Sequence, residues 1–485
     1  MLTLEDYTYF TTTRSLCPAC GGLVDAKVVF SKGKVYFLKH CPKDGPSQAL
    51  VCGDVAWYLD SLTYLKPGTE PKARSVETYA GCPTSCGLCP QHQQHTCVPI
   101  IEITDHCDLK CPLCLVKNRD SFFLPFEKFQ GIMDTLERCE GSLNLVNLSG
   151  GEPTLHPEFR RFVEHLASRK VAKTSVSTNG LGLLKQPDLV DFLKDHGVVV
   201  SLQLDGFEPA TYKSLRGTDL SADKKRVLDL LIRREAPFSM TVTMVRGVNE
   251  AEVPGLLELF FKTDQALSMM FQPCCHTGTG GASFGRDPMD ILTIPDVVRL
   301  IADGSGGSLK RSDFLPLPCS HPACFALTYL IKLPGGGFTP IPRIFELDDY
   351  LDVIKNNALF GMDEGNVGRI KDSIYRLWTA SGSIPDRSGA LKSIKAILSE
   401  LNELKSGFSP KAVMSVTEKH VKSIFIHHFM DSHTFDLSRA VKCCQHYPIP
   451  DGRPLSRLDR SGTPAPETPG ACRLMPACVF NNLCR

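Results

Sequence analysis

The sequence predicts an α/β fold: a partial (β/α)6 TIM-like barrel with cysteine-rich metal-binding extensions before and after it. Three observations carry that expectation. Between about residues 98 and 272, short apolar runs alternate with amphipathic segments of helical period. Polar or glycine residues follow the apolar runs, at the ends where a parallel barrel builds its site. The chain also holds 21 cysteines, most of them in tight groups.

Four regions follow from this pattern. Residues 1–97 are turn-rich and cysteine-rich, with short strands such as 34–38, and bound metal stands in for a large apolar core. Residues 98–272 form the barrel. Its buried strands are expected at 98–103, 143–148, 172–177, 198–204, 239–245 and 267–271. Its helices are expected at 126–138, 158–168, 189–195, 224–234 and 253–262. Repeated strand then helix implies parallel, right-handed crossovers. Thr104, Ser149 with Gly150, Thr178 with Asn179, Asp205 with Gly206, and Arg246 with Gly247 follow successive strands, which places the site at their C-terminal ends. Residues 273–412 are a mixed α/β extension, with helices near 364–378 and 389–405. Residues 413–485 form a cysteine-rich tail with a strand over 421–429, a short helix near 437–442 and an exposed loop over 448–470.

Composition excludes several classes. The formal charge is 54 minus 53, or +1, which provides no basic field for a nucleic acid. No run approaches the roughly 18 apolar residues of a spanning helix. Glu5 and Asp6 stand where a secretion signal needs positive charge. The expectation is a cytoplasmic protein without a transmembrane segment, and in a reducing cytosol clustered cysteines read as thiolate ligands for iron or zinc.

The first barrel strand runs into IEITDHCDLKCPLCL, a CxxxCxxC loop holding Cys107, Cys111 and Cys114. Three thiolates are one short of filling a [4Fe-4S] cluster, so one iron is left able to bind a small molecule. The second strand runs into LSGGEPT, where Gly150 and Gly151 permit close approach to the backbone and Glu152 can accept from an ammonium group. Together these features resemble the radical SAM superfamily. The resemblance implies that Cys107, Cys111 and Cys114 hold the cluster and that its open iron chelates the methionine moiety of S-adenosylmethionine. It further implies that Gly150, Gly151 and Glu152 hold the amino group, with Ser177, Asn179, Gln203 and Asp205 near the ribose or carboxylate. Many superfamily members carry an aromatic residue where this chain has Leu113, so adenine stacking there is left unassigned.

Cys17, Cys20, Cys41 and Cys52 have the spacing of a tetrahedral four-sulfur site, for rubredoxin-like iron or structural zinc, with the fourth ligand open. Cys82, Cys86, Cys89 and Cys97 fit a fully ligated auxiliary cluster; zinc is the alternative, with His92 and His95 as substitute ligands. Cys319, Cys324, Cys443, Cys444 and Cys478 can converge on another, with one of the adjacent pair Cys443 and Cys444 a spectator. Cys139 reads as a buried thiol. Cys274 and Cys275 follow the sixth strand, and His427 and His428 fall on opposite strand faces, with His433 beyond them. All five read first as packing or satisfied polar residues.

The cysteine segments, LTIPDVV, PCSHPAC, HHFMDSHTFDL, CCQHYPIPDGR and FNN resemble the branch containing tetraether lipid synthase and the class D radical SAM methylases. Residues 456–472 look like an insertion relative to that branch. Members carry auxiliary [4Fe-4S] clusters and a rubredoxin-like iron. The chemistry implied is reductive cleavage of S-adenosylmethionine to a 5′-deoxyadenosyl radical, followed by C–C bond formation at an unactivated carbon. The leading expectation is coupling of two lipid tails, with peripheral membrane contact. The alternative is methylation of a pterin-like substrate, and a second alternative is a non-catalytic electron carrier. A low-potential donor such as ferredoxin or flavodoxin is the implied redox partner.

Overall fold

The computed structural model describes residues 6–78, 81–83, 86–116, 122–277, 287–356, 387–404, 409–450 and 472–484. The helix expected near 364–378 and nearly all of the loop expected over 448–470 lie outside them.

Strands β1 (Thr8–Leu16), β2 (Leu23–Ser31), β3 (Lys34–Cys41) and β4 (Gly45–Cys52) form an antiparallel sheet in sequential order. Val28, Val35 and Phe37 bury one face of it against Tyr58 of helix α1 (Val55–Leu62). Only part of β3 was legible beforehand. β1 is exposed along most of its length and so lacks the apolar alternation that marks a strand. This small sheet is fastened to the C-terminal region through Thr13 of β1, whose Oγ1 donates to Asp436 Oδ1 (2.6 Å), and through a buried lysine. Lys39 Nζ donates to Leu16 O (2.9 Å), Ser432 O (3.0 Å) and His433 O (2.7 Å).

The six expected barrel strands are present as β5 (Val98–Thr104), β6 (Leu143–Gly150), β7 (Val171–Thr178), β8 (Val198–Gln203), β9 (Phe238–Met244) and β10 (Ala266–Pro273). Each pairs in parallel with its neighbour. The sheet is larger than the six expected strands. Among the described residues it has 11 strands, in the order β12-β11-β13-β10-β9-β8-β7-β6-β5-β14-β15. β13 (Val421–His427) joins β10 and β14 (Gln445–Ile449) joins β5, both in parallel, so the tail adds a strand at each side of the parallel run. β11 (Phe325–Lys332), β12 (Phe338–Pro340) and β15 (Arg473–Pro476) complete the edges in antiparallel fashion.

The outer face carries α2 (Phe126–Glu140), α3 (Phe159–Ser168), α4 (Leu181–Lys185), α5 (Asp188–Asp195), α6 (Pro209–Arg216), α7 (Ser221–Arg233), α8 (Val253–Lys262) and α9 (Ile294–Gly304). One strand residue in two, such as Val146, Leu148, Val200, Leu202, Met240 and Val242, enters the core they share. The alternate residues face inward and change character along the strands. Near the strand starts, Ile100 and Leu145 pack in a second core with α10 (Arg387–Asn402) and α11 (Pro410–His420) through Ile394, Ile397, Val413 and Val416. Toward the strand ends the inward positions are Asn147, Ser149, Ser177, Ser201, Thr241, Thr243, Met270 and Gln272, all half-buried. The interior is therefore stoppered by apolar packing at one end and polar at the other.

Candidate radical SAM site

The CxxxCxxC loop leaves β5 at the polar end. Its backbone is sewn to the β6 turn: Gly151 N donates to Thr104 O (2.8 Å) and Glu152 N to His106 O (2.8 Å). A Cβ on Gly150 would lie 2.1 Å from Thr104 O, and one on Gly151 2.2 Å from His106 O. Gly150 also has φ of +129°, a conformation that L side chains rarely adopt. The two glycines thus make room for the cysteine loop itself. Leu109 packs with Tyr212 and Leu220, and Leu113 with Leu215 and Val245, which gives the position lacking an aromatic residue an apolar anchoring role. Cys107, Cys111 and Cys114 are each partly exposed. Burial pushes the Cys107 thiol up to about 12, so loading a metal there displaces a proton.

Glu152 does not reach toward the polar interior. It is fully buried, and its carboxylate accepts from Thr154 N (3.2 Å), Thr154 Oγ1 (2.7 Å), Thr178 Oγ1 (2.7 Å) and Asn179 N (2.7 Å). Burial pushes its pKa up against those bonds. Asn179 Nδ2 in turn donates to Asp108 Oδ1 (2.7 Å), which ties the cysteine loop to β7. Asp205 is also fully buried and accepts a two-pronged bond from Arg216, Nε at 2.7 Å and Nη2 at 2.9 Å. Gln203 Nε2 donates to the same carboxylate. Burial opposes the charge on Arg216, but Asp205 and a hydrogen bond to Cys111 outweigh it and raise its pKa. The sequence placed Glu152, Asn179, Gln203 and Asp205 against the ligand, whereas here those polar groups are taken up by protein partners. Ser177, by contrast, faces the polar interior, where Asn147 Nδ2 donates to its Oγ (3.0 Å).

The ribbon holds a different kind of site. Cys17, Cys20, Cys41 and Asp44 bring one ligand atom each within 4.8 Å of all the others, the only such group among the described residues. Cys17 and Cys41 thiols both donate to Asp44 Oδ2 at 3.2 Å. These hydrogen bonds from the thiols, Cys20 foremost, hold the Asp44 carboxyl below its usual range. Cys52 is not part of the set. In the β3–β4 hairpin Cys41 lies opposite Gly45 at the turn, while Cys52 lies opposite Val35 at the far end, about 20 Å away at ~3.3 Å per residue.

The other cysteines regroup as well. Cys82 hydrogen-bonds Cys89, and Cys86 lies within electrostatic reach of Cys89 and Cys484. Cys97 leaves that group for Cys444, which is also within reach of Cys319 and Cys324. Cys443 and Cys478 interact with each other and with Cys324. Cys484 was missed because it stands alone in sequence; Asp44 was missed although CPKDG places it three residues past Cys41. Cys139 is fully buried in the outer core, as read from its helix. His427 stacks on Phe325 at 4.1 Å, a packing role. Cys274 packs against the cluster of Leu113, Leu215 and Val245, and Cys275 is buried within reach of Cys478. Asp431 gathers the loop after β13 onto the loop after β10, accepting from His276 N (2.8 Å) and His433 N (3.0 Å).

Residues 101–260 match the Radical SAM superfamily, and residues 9–53 match the HMPTM N-terminal zinc ribbon domain. The chain carries a radical SAM domain. It is a radical SAM enzyme with an N-terminal ribbon. A 7,8-dihydro-6-hydroxymethylpterin dimethyltransferase of Methanocaldococcus jannaschii is 28% identical over 477 residues, which is 91% of each chain. A GTP 3′,8-cyclase of Listeria monocytogenes is 29% identical over 205 residues, 40% of this chain and 59% of that one. Among solved structures, Streptococcus suis SuiB bound to S-adenosylmethionine is 17% identical with a TM-score of 0.37, over 44% of this chain and 47% of SuiB. Among the described residues no helix is long and apolar enough to cross a membrane.

The residues present suit the cofactors of this superfamily. Three thiols stand on one loop without the single-ion closure seen in the ribbon, and buried polar groups brace them from behind. That is a donor set for a cluster with one corner left to an exchangeable ligand.

Proposed function

We propose that this chain is a radical SAM methyltransferase acting on a reduced pterin, with Cys107, Cys111 and Cys114 holding the catalytic [4Fe-4S] cluster. When bound, that cluster and S-adenosylmethionine supply a carbon-centred radical able to take hydrogen from an unactivated C–H bond. The polar end of the barrel interior carries the choice of substrate. Asn147, Ser177, Ser201, Thr241, Thr243 and Gln272 line the inward face there. These groups pair with one another and with their neighbours, Ser201 with Thr241 (3.2 Å) and Arg216 Nη2 with Thr243 Oγ1 (2.9 Å) among them, and a hydrocarbon tail would strip their remaining hydration without offering a partner in return. A pterin ring brings donors and acceptors of its own to such a polar surface, and Met270 offers an apolar patch beside it. The relative covering 91% of both chains acts, by its name, on a hydroxymethyl dihydropterin. Pterin methylation therefore replaces lipid-tail coupling as the leading reading.

In this reading the Gly150–Gly151 seam fixes the cysteine loop on the rim, and Arg216 keeps a positive charge at Cys111. The ribbon set Cys17, Cys20, Cys41 and Asp44 holds zinc as a folding element. Cys82, Cys86 and Cys89 with Cys484 form one auxiliary centre. Cys97, Cys319 and Cys444 with Cys324, Cys443 and Cys478 supply ligands for a second. An external low-potential electron donor is required.

The test is anaerobic reconstitution with iron and sulfide, followed by S-adenosylmethionine, reductant, a 7,8-dihydropterin and an isotope-labelled one-carbon donor. The expected result is 5′-deoxyadenosine together with a labelled, methylated pterin. 5′-Deoxyadenosine with no label in any pterin, or lipid coupling lost on deletion of the gene, would overturn the methyl-transfer reading.

A further inference from the structure

Lys224 is nearly fully buried in the first turn of α7. This is a costly place for a cation. Burial penalises the charge and lowers its pKa to about 7, and a helix N-terminus repels positive charge. Neither cost would fall on a leucine. The ammonium nevertheless has its three donors matched by three acceptors: Asn179 O at 2.6 Å, Gln203 O at 2.6 Å and Gln203 Oε1 at 2.7 Å. Asn179 follows β7 and Gln203 ends β8, so one side chain reaches in from the outer helix layer and clamps two neighbouring strand ends at the rim.

The third of these bonds also settles an orientation. An amide has one acceptor end and one donor end. With Lys224 on Gln203 Oε1, the donor Nε2 must face Asp205. Asp205 then holds Arg216 by both prongs, and Arg216 reaches Cys111. The Asp205 carboxylate by itself favours the same end of the amide, but without the lysine Oε1 loses its donor, the Gln203 side chain is held at one end only, and the carboxylate and its arginine lose a fixed support.

We infer that Lys224 is a positioning residue of the radical SAM site, acting through its anchoring of the Gln203 side chain to hold Asp205 and Arg216 against the cysteine loop. This rests on the assignment of Cys107, Cys111 and Cys114 as cluster ligands. It concerns S-adenosylmethionine binding and cluster environment, and it is independent of whether the methylated substrate is a pterin.

The experiment compares Lys224→Met, Gln203→Leu and the double variant with wild type, each reconstituted anaerobically. Readouts are iron content, S-adenosylmethionine affinity by equilibrium dialysis, and the electron paramagnetic resonance spectrum of the reduced protein with and without S-adenosylmethionine. Both single variants are expected to keep wild-type iron content, to bind S-adenosylmethionine about tenfold more weakly, the scale of one misaligned hydrogen bond, and to lose part of the ligand-induced spectral shift. The double variant is expected to be no worse than either single one, because the two residues act in series. Wild-type affinity and spectrum in Lys224→Met, or losses that multiply in the double variant, would overturn the inference. If Lys224→Met does not fold, Gln203→Leu decides alone, since it leaves both backbone acceptors in place, and unchanged affinity in it overturns the inference. A wild-type protein that takes up no cluster would instead refute the ligand assignment.

Discussion

The ribbon site and the rim site are both built from cysteines on turns next to strands, yet they differ in what completes them. In the ribbon, Asp44 closes a four-donor set from a turn three residues past Cys41, and the ligand atoms crowd to the separation of one ion. At the rim three cysteines stand on a loop whose support is indirect. Glu152, Asn179, Asp205 and Arg216 occupy the space behind the thiols, and their polar groups bond to one another and to the loop. A closed donor set makes a metal part of the fold, while an open one propped from behind keeps a coordination position for chemistry.

The largest expected effect tests that contrast directly. Cys107→Ala, Cys111→Ala and Cys114→Ala should each reduce 5′-deoxyadenosine formation by more than the roughly 10–100-fold that outer-sphere changes cost at metal sites, with ribbon metal content unchanged. Retained activity in any one of the three would show that the rim does not depend on all its thiols. Asp205→Asn comes next. It strips a buried arginine of its counter-charge, at about 3–5 kcal/mol of stability, and chemical denaturation should register a loss on that scale. A loss below ~1 kcal/mol would mean that Arg216 has solvent or another anion to turn to.

How far these regions were legible in sequence follows from the range of the interactions. The helix expected over 253–262 coincides with α8, and those expected over 126–138 and 158–168 differ from α2 and α3 by one or two residues at an end, since apolar period and caps are local signals. β13 was read as a strand, but not as the neighbour of β10, and β14 was not read at all, because pairing with β5 across more than 300 residues leaves no local trace. The cysteine triple was singled out by its spacing together with its place after a strand and the GGEPT turn after the next one. Arg216 and Lys224 were not, since nothing in LRGTDLSADKK says that those two charges turn inward while Lys225 and Arg226 stay outside. The ribbon's fourth ligand was hidden for a related reason: an exposed aspartate in a turn is ordinary until three thiols are seen around it.

Asp44 and Cys52 sharpen the ribbon half of the comparison, with a moderate and a small effect. Asp44→Ala should weaken ribbon metal binding by about 10–100-fold, judged from the cost of disturbing a metal's surroundings, and Asp44→Cys should restore or tighten it. Metal competition with a chromophoric chelator measures both.

Cys52→Ser should leave metal stoichiometry and affinity as they are. The β3–β4 register carries its sulfur to the opposite end of the hairpin from Cys41, into a pocket with Val35, Val51 and Tyr58. There burial pushes the thiol up to about 12, so it stays protonated, and its hydrogen bond is to Asp54 O at 3.3 Å. A serine hydroxyl can make the same bond, so the change removes only the fit of a larger, less polar atom, worth about 1 kcal/mol or less. A small fall in thermal midpoint with one metal still bound is the expected outcome. Loss of the metal in this variant would mean that the ribbon closes on four sulfurs, and that the difference between the two sites lies in their supports and not in their donor sets.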